Sequence, residues 1–335
     1  MRVVALAGGV GAARFLRGLV RALDPAQLSV VVNTGDDREF YGVHVSPDLD
    51  IVTYTLAGRV DAERGYGLAG DTFSVIDALA AYGHATWFKL GDRDLATCLH
   101  RTQRLGSGAG LAAVTDEIRR AHGLACRILP MSEDPCPTFV RLSNGARVHF
   151  EEYLVRDGAP DDVESVDLSA ARAARPAPGV LEALAGAETI LVCPSNPVVS
   201  IGPILALPGV REALARSSAP VVAISPIIGG MPVKGPADRL LRGTGAEVSA
   251  RGVAQLYAPW CHGFVLDERD AMQLRDVEAL GLAARAVDTL MRDVAISEAL
   301  ARTCLALADE IRRTRRPHAG HRPARSEAKP SEVDR

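Results

Sequence analysis

The chain has 335 residues and a formal net charge of −3, and 47% of its residues are hydrophobic. This composition is ordinary for a globular protein, and the small net charge excludes a strong bias of the whole chain towards nucleic acid. The length predicts one large domain or two closely associated ones. No apolar run is long enough to span a membrane and no leader precedes the first strand, so a cytoplasmic location without membrane contact is expected.

The chain begins with a short apolar run, Val3–Leu6, of the kind that forms a buried parallel strand. A glycine turn (Gly8, Gly9 and Gly11) and a helix-period segment follow, so a phosphate at the helix start would meet free N–H groups. The turn lacks the third glycine of a dinucleotide fingerprint and the lysine of a Walker loop. Alone, it supports a phosphate site and a plain tight turn about equally. The guanidinium of Arg14 favours phosphate.

Short apolar runs alternate with helical stretches along much of the chain. This alternation predicts an α/β fold with a Rossmann-like, mostly parallel sheet and helices on both faces. Helices are expected at Ile201–Leu214 and Val253–Tyr257. The further strand-like runs are Ser29–Val32, Thr189–Val192, Val221–Ile224 and Gly263–Leu266.

The middle of the chain has a different pattern, which predicts an insertion over residues 71–179 in a core formed by residues 1–70 and 180–311. Its helical patterns cover Thr72–Ala81, Asp94–Leu105 and Ala112–His122, and strand-like runs follow at Arg127–Leu129, Thr138–Leu142 and Arg147–Phe150. An Asn144-Gly145 turn joins the last two runs into a hairpin. Residues 158–178, rich in proline and alanine, are expected to cross the surface.

The ends of the chain and its cysteines add two expectations. Residues 312–335 are rich in Arg, Pro, Ser and Glu, which predicts a disordered basic tail. Such a tail can touch nucleic acid, but we favour a solvated tail without a partner. The six cysteines are scattered without a C-x-x-C pair, so we expect reduced thiols and no zinc site.

Polar motifs follow the predicted strands where each strand ends. Because ligands of open parallel sheets bind beyond the carboxyl ends of the strands, these motifs are expected to converge on one site. Besides the glycine turn, they are Asn33–Asp37, Lys89–Asp92, Cys193–Pro197, Ser225–Gly229 and Asp267–Asp270.

Four carboxylates near the second strand suggest a metal site. Asp36, Asp37, Asp48 and Asp50 offer the hard oxygen ligands that Mg²⁺ prefers beside a nucleotide. A helix is expected to begin near Ile51, so Asp48 or Asp50 binds metal while the other caps this helix. As a loop carboxylate, Asp50 would support no core, and its replacement by alanine is expected to affect turnover more than folding.

Two polar turns each have a structural and a functional interpretation. Lys89 lies where a strand should end and is expected to reach a substrate oxygen or phosphate, while Asp92 caps the next helix. Ser195 and Asn196 lie between prolines and either present amides to a base or ribose, or form an ordinary capped turn. The isolated histidines His100, His149 and His262 have no partner at ligand spacing and are interpreted as structural or surface residues.

The motifs, in this order, resemble the 2-phospho-L-lactate transferase family, the CofD/FbiA family of deazaflavin coenzyme F-420 biosynthesis. The resemblance covers nearly all of the chain before residue 312. The strings that carry it are Ala7–Arg14, Asn33–Asp37, Ser46–Asp50, Asp71–Phe73, Lys89–Asp94, Leu129–Met131, Pro194–Pro197, Ile201–Pro203, Ser225–Gly229 and Asp267–Asp270.

The resemblance implies Mg²⁺-dependent transfer of a phospho-acid group from a guanosine-diphosphate-linked donor to the deazaflavin Fo, with release of GMP. By position, Asp50 and Lys89 would contact Fo, with Asp50 as the catalytic residue and candidate proton acceptor. Asp37 and Asp48 are the expected metal ligands. The residues expected to hold the guanosine diphosphate are Gly8, Gly9, Gly11, Arg14, Ser195 and Asn196.

Alternatives remain at this stage. A YvcK-like regulatory protein that binds nucleotide sugars would share the fold, but the Arg38–Tyr41 segment after Asp37 departs from that family. A nicotinamide dehydrogenase rests on the glycine turn alone. The donor acid is lactate, enolpyruvate or glycerate, and Arg64–Gly67, where the family varies, is expected to influence it. A homodimer is also expected.

Overall fold

The computed structural model describes residues 1–315, in which fourteen strands and thirteen helices alternate. The strands are β1 (Val3–Ala7), β2 (Leu28–Val32), β3 (Arg38–Phe40), β4 (Val43–Val45), β5 (Arg127–Pro130), β6 (Phe139–Leu142), β7 (Arg147–His149), β8 (Val163–Asp167), β9 (Thr189–Val192), β10 (Val221–Ile224), β11 (Ile227–Ile228), β12 (Met231–Pro232), β13 (Gly263–Asp267) and β14 (Ala283–Val287). The helices are α1 (Gly9–Ala22), α2 (Pro47–Leu56), α3 (Ser74–Ala81), α4 (Asp92–Gly106), α5 (Leu111–Ala121), α6 (Ser169–Ala173), α7 (Val180–Gly186), α8 (Ile201–Ala206), α9 (Val210–Arg216), α10 (Ala237–Gly243), α11 (Ala250–Tyr257), α12 (Leu274–Ala279) and α13 (Val294–Arg315).

Seven parallel strands form the main sheet, in the order β14-β13-β10-β9-β1-β2-β5. The five strands predicted from apolar runs are β1, β2, β9, β10 and β13, so the predicted α/β class is confirmed. From β1 the chain proceeds outward through β2 and β5, whereas β9 and its successors extend the other edge. The topological switch point therefore lies between β1 and β9, where open α/β sheets bind ligands.

Helices cover both faces of this sheet, because alternate side chains of a strand point to opposite faces. Val3, Ala5 and Ala7 of β1 pack into a core shared with α1, α2 and α13. Val4 and Leu6 pack into a second core with α7, α8, α9 and α11. The continuous apolar composition of β1 follows from this two-sided burial.

The region predicted as an insertion is only partly separate from the main sheet. Its helices are α3, α4 and α5, close to the predicted bounds. The run Arg127–Leu129, however, is the edge strand β5 of the main sheet, paired with β2. The predicted hairpin is β6 and β7, but β8 pairs with β6, so the segment expected to be a surface crossing contributes a third strand.

Two other elements differ from the prediction. The helix expected over Ile201–Leu214 is two helices, α8 and α9, because Pro208 and Gly209 interrupt it and Gly209 has a φ of +84°. The edge strand β14 was not predicted, because its sequence AARAV is rich in alanine, which is a poor strand former.

Residues 312–315, the first part of the predicted tail, belong to α13, and residues 316–335 of that prediction lie outside the described part of the chain. Within residues 1–315, none of the helices combines the length and hydrophobicity needed to cross a membrane. All six cysteines are buried and unpaired, as expected for reduced thiols.

Candidate active site

A cavity of about 630 Å³ opens at the carboxyl edge of the main sheet, a volume typical of small-molecule sites. Its walls come from the segments that follow separate strands: Gly8 after β1, Asp36 after β2, Ser195 after β9, Ser225 after β10 and Thr289 after β14. The expected convergence of these motifs is therefore observed. Asp267 contributes indirectly, since its carboxylate accepts bonds from the Thr289 amide and hydroxyl, both at 2.9 Å.

The glycine turn is shaped by close contact with neighbouring segments. A Cβ at Gly8 would lie 2.7 Å from Asp48 Oδ2, and one at Gly11 would lie 2.4 Å from the Pro194 carbonyl oxygen. The Gly9 amide already donates to Asp48 Oδ1 at 2.7 Å. The following amides of α1, those of Val10 and Gly11, have no acceptor within the helix and lie at the cavity wall. They can donate to an anion there.

A group of buried carboxylates lies beside this turn: Asp36, Asp48 and Glu151 all line the cavity. Burial, and then the charges of Asp48 and Glu151, raise the pKa of Asp36 well above its ordinary value. Burial raises the pKa of Asp48 to about 6 and that of Glu151 to about 8. The charge of Asp48 also contributes to the raised pKa of Glu151. The protein thus crowds acids where a cation would stabilise their charged forms.

Asp36, rather than the expected ligand Asp37, lies at the cavity wall. The side chain of Asp37 accepts bonds from His44 at 3.1 Å and Ser46 at 2.7 Å, and Asp37 is not among the residues that line the cavity. Asp36 does line it, and its buried Oδ1, like that of Asp37, has no hydrogen-bond partner among the described residues. Asp36 and Glu151 are therefore carboxylates of the cavity wall that the expected ligand pair did not include.

Asp50 does not lie on a loop. The helix α2 begins at Pro47 with Ser46 before it, so Asp50 lies within the first turn and does not cap a helix. Its two oxygens accept a fork of hydrogen bonds from Arg101 of α4, one of them at 3.1 Å. The Arg101 side chain is 1% exposed and that of Asp50 is 7% exposed. The expectation that Asp50 supports no core is wrong, because this is a buried ion pair.

The charged segment around Lys89 has a structural explanation for most of its residues. Asp92 accepts bonds from the Ser74 and Val75 amides and so caps α3, while Asp71 accepts from the Arg93 and Asp94 amides and caps α4. The prediction that Asp92 caps its own helix is wrong. The reciprocal capping by Asp71 and Asp92 fixes the loop that carries Lys89. The Lys89 side chain is 51% exposed, lines the cavity and lies 3.6 Å from Asp77.

Ser195 and Asn196 both line the cavity. The Ser195 hydroxyl accepts a 3.3 Å bond from the Gly8 amide, which joins the two turns at the switch point. Asn196 Oδ1 accepts from the amides of Val198 at 2.9 Å and Val199 at 3.3 Å, the capped turn considered from the sequence. Arg14, one turn beyond Gly11 on α1, also lines the cavity.

A second acidic group is less suited to Mg²⁺. Ligand atoms of Asp50, Asp94 and Cys98 lie within 4.8 Å of one another, but the Arg101 guanidinium already occupies both oxygens of Asp50. Burial raises the pKa of the Cys98 thiol, and a neutral thiol is a poor ligand for a hard cation. Burial and the charge of Asp50 raise the pKa of Asp94 to about 7, and Tyr54 donates to Asp94 at 2.8 Å.

An amide turn beside crowded carboxylates, at the switch point of a parallel sheet, is the arrangement of α/β proteins that bind phosphorylated ligands. A model of the family described as 2-phospho-L-lactate transferase CofD matches residues 3–297. The chain belongs to this family, and it is a transferase of the coenzyme F-420 pathway.

Individual relatives agree with this assignment. A phosphoenolpyruvate transferase from Kitasatospora aureofaciens is 50% identical over 93% of this chain and 99% of its own. A 2-phospho-L-lactate transferase from Methanosarcina mazei is 40% identical over 89% of this chain and 98% of its own. A solved UPF0052 family protein from Bacillus halodurans has a TM-score of 0.62 over 91% of this chain and 98% of its own, at 17% identity, which supports the fold alone.

Replacing Arg101 with methionine tests the buried ion pair. The variant would leave the Asp50 carboxylate buried without its partner, which typically costs about 3–5 kcal/mol of the free energy of unfolding. Arg104→Met, on the same helix, is the matched control, because the Arg104 side chain is 43% exposed and pairs with Glu117 at the surface. Equal urea midpoints for the two variants would contradict the assignment.

The raised pKa of Asp94 predicts a pH-dependent stability. A folded-state pKa of about 7, above the ordinary 3.8, means that the native state holds the proton more tightly, so this stabilisation is lost as the pH rises towards 7. The slope for one proton is about 1.4 kcal/mol per pH unit. Asp94→Asn should therefore gain stability relative to wild type between about pH 4.5 and 7. If the difference in the free energy of unfolding between the two proteins stays constant over this pH range, the prediction is refuted.

Proposed function

We propose that this protein transfers the phosphoenolpyruvyl group from a guanosine-diphosphate-linked donor to the deazaflavin Fo, with Mg²⁺, and releases GMP. The observation that carries the proposal is the single cavity, which joins the amide turn at Gly11 to the acids Asp36 and Glu151 and to Asp50 and Lys89. One space thus offers groups for a diphosphate, a metal ion and an alcohol acceptor. The cytoplasmic location and the homodimer stay predictions.

The relatives support enolpyruvate as the donor acid. The relatives named phosphoenolpyruvate transferase include proteins 50%, 47% and 48% identical to this chain. Those named 2-phospho-L-lactate transferase from Methanosarcina mazei and Methanopyrus kandleri are both 40% identical. The family match supports the transferase over a YvcK-like regulator or a dehydrogenase.

The acids at the glycine turn suit Mg²⁺, which prefers carboxylate oxygens and keeps several waters. Asp36 supplies a buried oxygen without a partner, and Asp48 and Glu151 line the same wall. We assign these three as the residues that would hold the ion. Asp37, expected as a ligand, would support the site from behind through His44 and Ser46. When bound, Mg²⁺ would neutralise charge on the diphosphate during transfer.

The reaction requires positioning and charge neutralisation more than covalent catalysis. The terminal hydroxyl of Fo attacks the phosphorus that bears the acid, a new P–O bond forms, and the bond to the bridging oxygen breaks as GMP leaves. Asp50, held by Arg101, accepts a hydrogen bond from this hydroxyl and orients it. The neighbouring Asp94, whose pKa is raised to about 7, is the better acceptor for the proton at neutral pH.

Release of GMP tests the proposed function. Purified protein with Fo, Mg²⁺ and the guanylylated donors of enolpyruvate, lactate and glycerate should release GMP, fastest with enolpyruvate. Mass spectrometry of the product identifies the acid that is transferred. No GMP with any of the three donors would reject the transfer reaction, and preferential turnover of lactate would reject the donor assignment. Lys89→Ala should mainly raise the KM for Fo.

The metal assignment distinguishes two adjacent aspartates. Asp36→Asn should raise the Mg²⁺ concentration needed for half-maximal GMP release about tenfold or more, because it removes an oxygen of the cavity wall. Asp37→Asn should raise it less, because Asp37 acts behind the wall. Asp116→Asn, on the surface of α5, is the control and should change nothing. A larger effect from Asp37→Asn than from Asp36→Asn would restore Asp37 as the ligand.

A further inference from the structure

Two cations face one loop at the cavity. Arg14 projects from α1, and Lys234 lies in the segment between β12 and α10; both line the cavity. A Cβ built at Gly65 would lie 3.8 Å from Arg14 Nη2 and 3.8 Å from Lys234 Nζ. The Lys234 ammonium also lies 5.7 Å from the centre of the Tyr66 ring. The loop around Gly65 and Tyr66 therefore brings both positive charges to one part of the wall.

These cations have no acidic partner among the residues that the structure describes. Within residues 1–315, no carboxylate forms an ion pair with Arg14 or Lys234, whereas Lys89 lies 3.6 Å from Asp77. The Lys234 ammonium donates only to the Arg64 carbonyl oxygen, at 3.4 Å. Burial and the nearby charge of Arg14 both lower the pKa of Lys234. Two repelling cations at a cavity wall are a site that an anion would stabilise.

The chemistry of the donor indicates which anion this is. The diphosphate has its own set of groups at the glycine turn, where amides and the Mg²⁺ carboxylates meet. Fo carries an alcohol as its reacting group. The carboxylate of the phospho-acid is then the remaining negative charge of the donor substrate. The N–H groups of an Arg and a Lys side chain together suit a carboxylate.

We propose that Arg14, which the sequence analysis assigned to the guanosine diphosphate, instead binds the carboxylate of the phospho-acid together with Lys234, and that the two cations so select donors that carry an acid. This inference rests on the proposed function and deepens it. The Gly65–Tyr66 loop lies against both cations, and Tyr66 lines the cavity. The site would bind any of the three acids through the carboxylate that they share, and Tyr66 would contact the part that differs.

The test compares two donors that differ only in the carboxylate. The first is guanylylated 2-phospholactate, and the second is the isopropyl ester of GDP, in which a methyl group replaces the carboxylate. Dissociation constants are measured by calorimetry without Fo. Wild type should bind the first at least tenfold more tightly. Lys234→Met and Arg14→Gln should reduce this preference to about one, with little change for the isopropyl ester, and Lys234→Arg should retain it.

The outcomes separate this inference from the proposed function. Arg21→Gln is the control on α1, because Arg21 pairs with Glu298 away from the cavity, and it should keep the wild-type preference. An unchanged preference in Lys234→Met overturns the carboxylate site. If the variants weaken the binding of both donors equally, the cations bind the diphosphate instead, which also overturns it. If wild type releases GMP in either case, the transferase stands and only this inference fails. Absence of GMP release rejects the proposed function itself.

Discussion

The carboxylate of Asp48 holds the site together. It accepts a hydrogen bond from the Gly9 amide at 2.7 Å and one from the Asn33 side chain at 2.9 Å, so a residue of α2 joins the ends of β1 and β2. The glycine at position 8 is required because a Cβ there would lie 2.7 Å from Asp48 Oδ2. The amide turn, the acid group and α2 therefore form one unit, and burial of Asp48 raises its pKa to about 6.

Helix α2 also connects this unit to the second half of the site. Asp48 and Asp50 are two residues apart on a helix, so their side chains leave the helix axis in directions about 160° apart. Asp48 points to the start of α1, and Asp50 points to Arg101 on α4. One rigid helix thus sets the spacing between the groups proposed to bind the diphosphate and those proposed to bind the acceptor. Sequence spacing alone suggested that one of the two carboxylates binds metal while the other caps the helix.

The parts of the fold predicted correctly depend on local signals. Apolar runs identify the buried strands, and the rule for carboxyl ends places their polar motifs together. Arg101 and Glu151 were not identified from the sequence, because their roles depend on packing between distant segments. On its helix Arg101 stands between His100 and Arg104, a pattern typical of an exposed face. The reciprocal caps of Asp71 and Asp92 were not predicted for the same reason. Asp92 caps α3, which follows Asp71 in sequence, and Asp71 caps α4, which begins at Asp92.

The charges of the cavity are segregated, and this has a consequence for binding. The charges of Asp48 and Glu151 raise the pKa of Asp36, and that of Asp48 raises the pKa of Glu151. Arg14 lowers the pKa of Lys234, and no acid within residues 1–315 pairs with either cation. Both groupings are unfavourable in the protein alone, because like charges repel. A ligand with anionic groups at two positions, carried in with a divalent cation, relieves both at once. On the proposed assignment, this repulsion would favour a donor that carries both a diphosphate and a carboxylate over GDP itself.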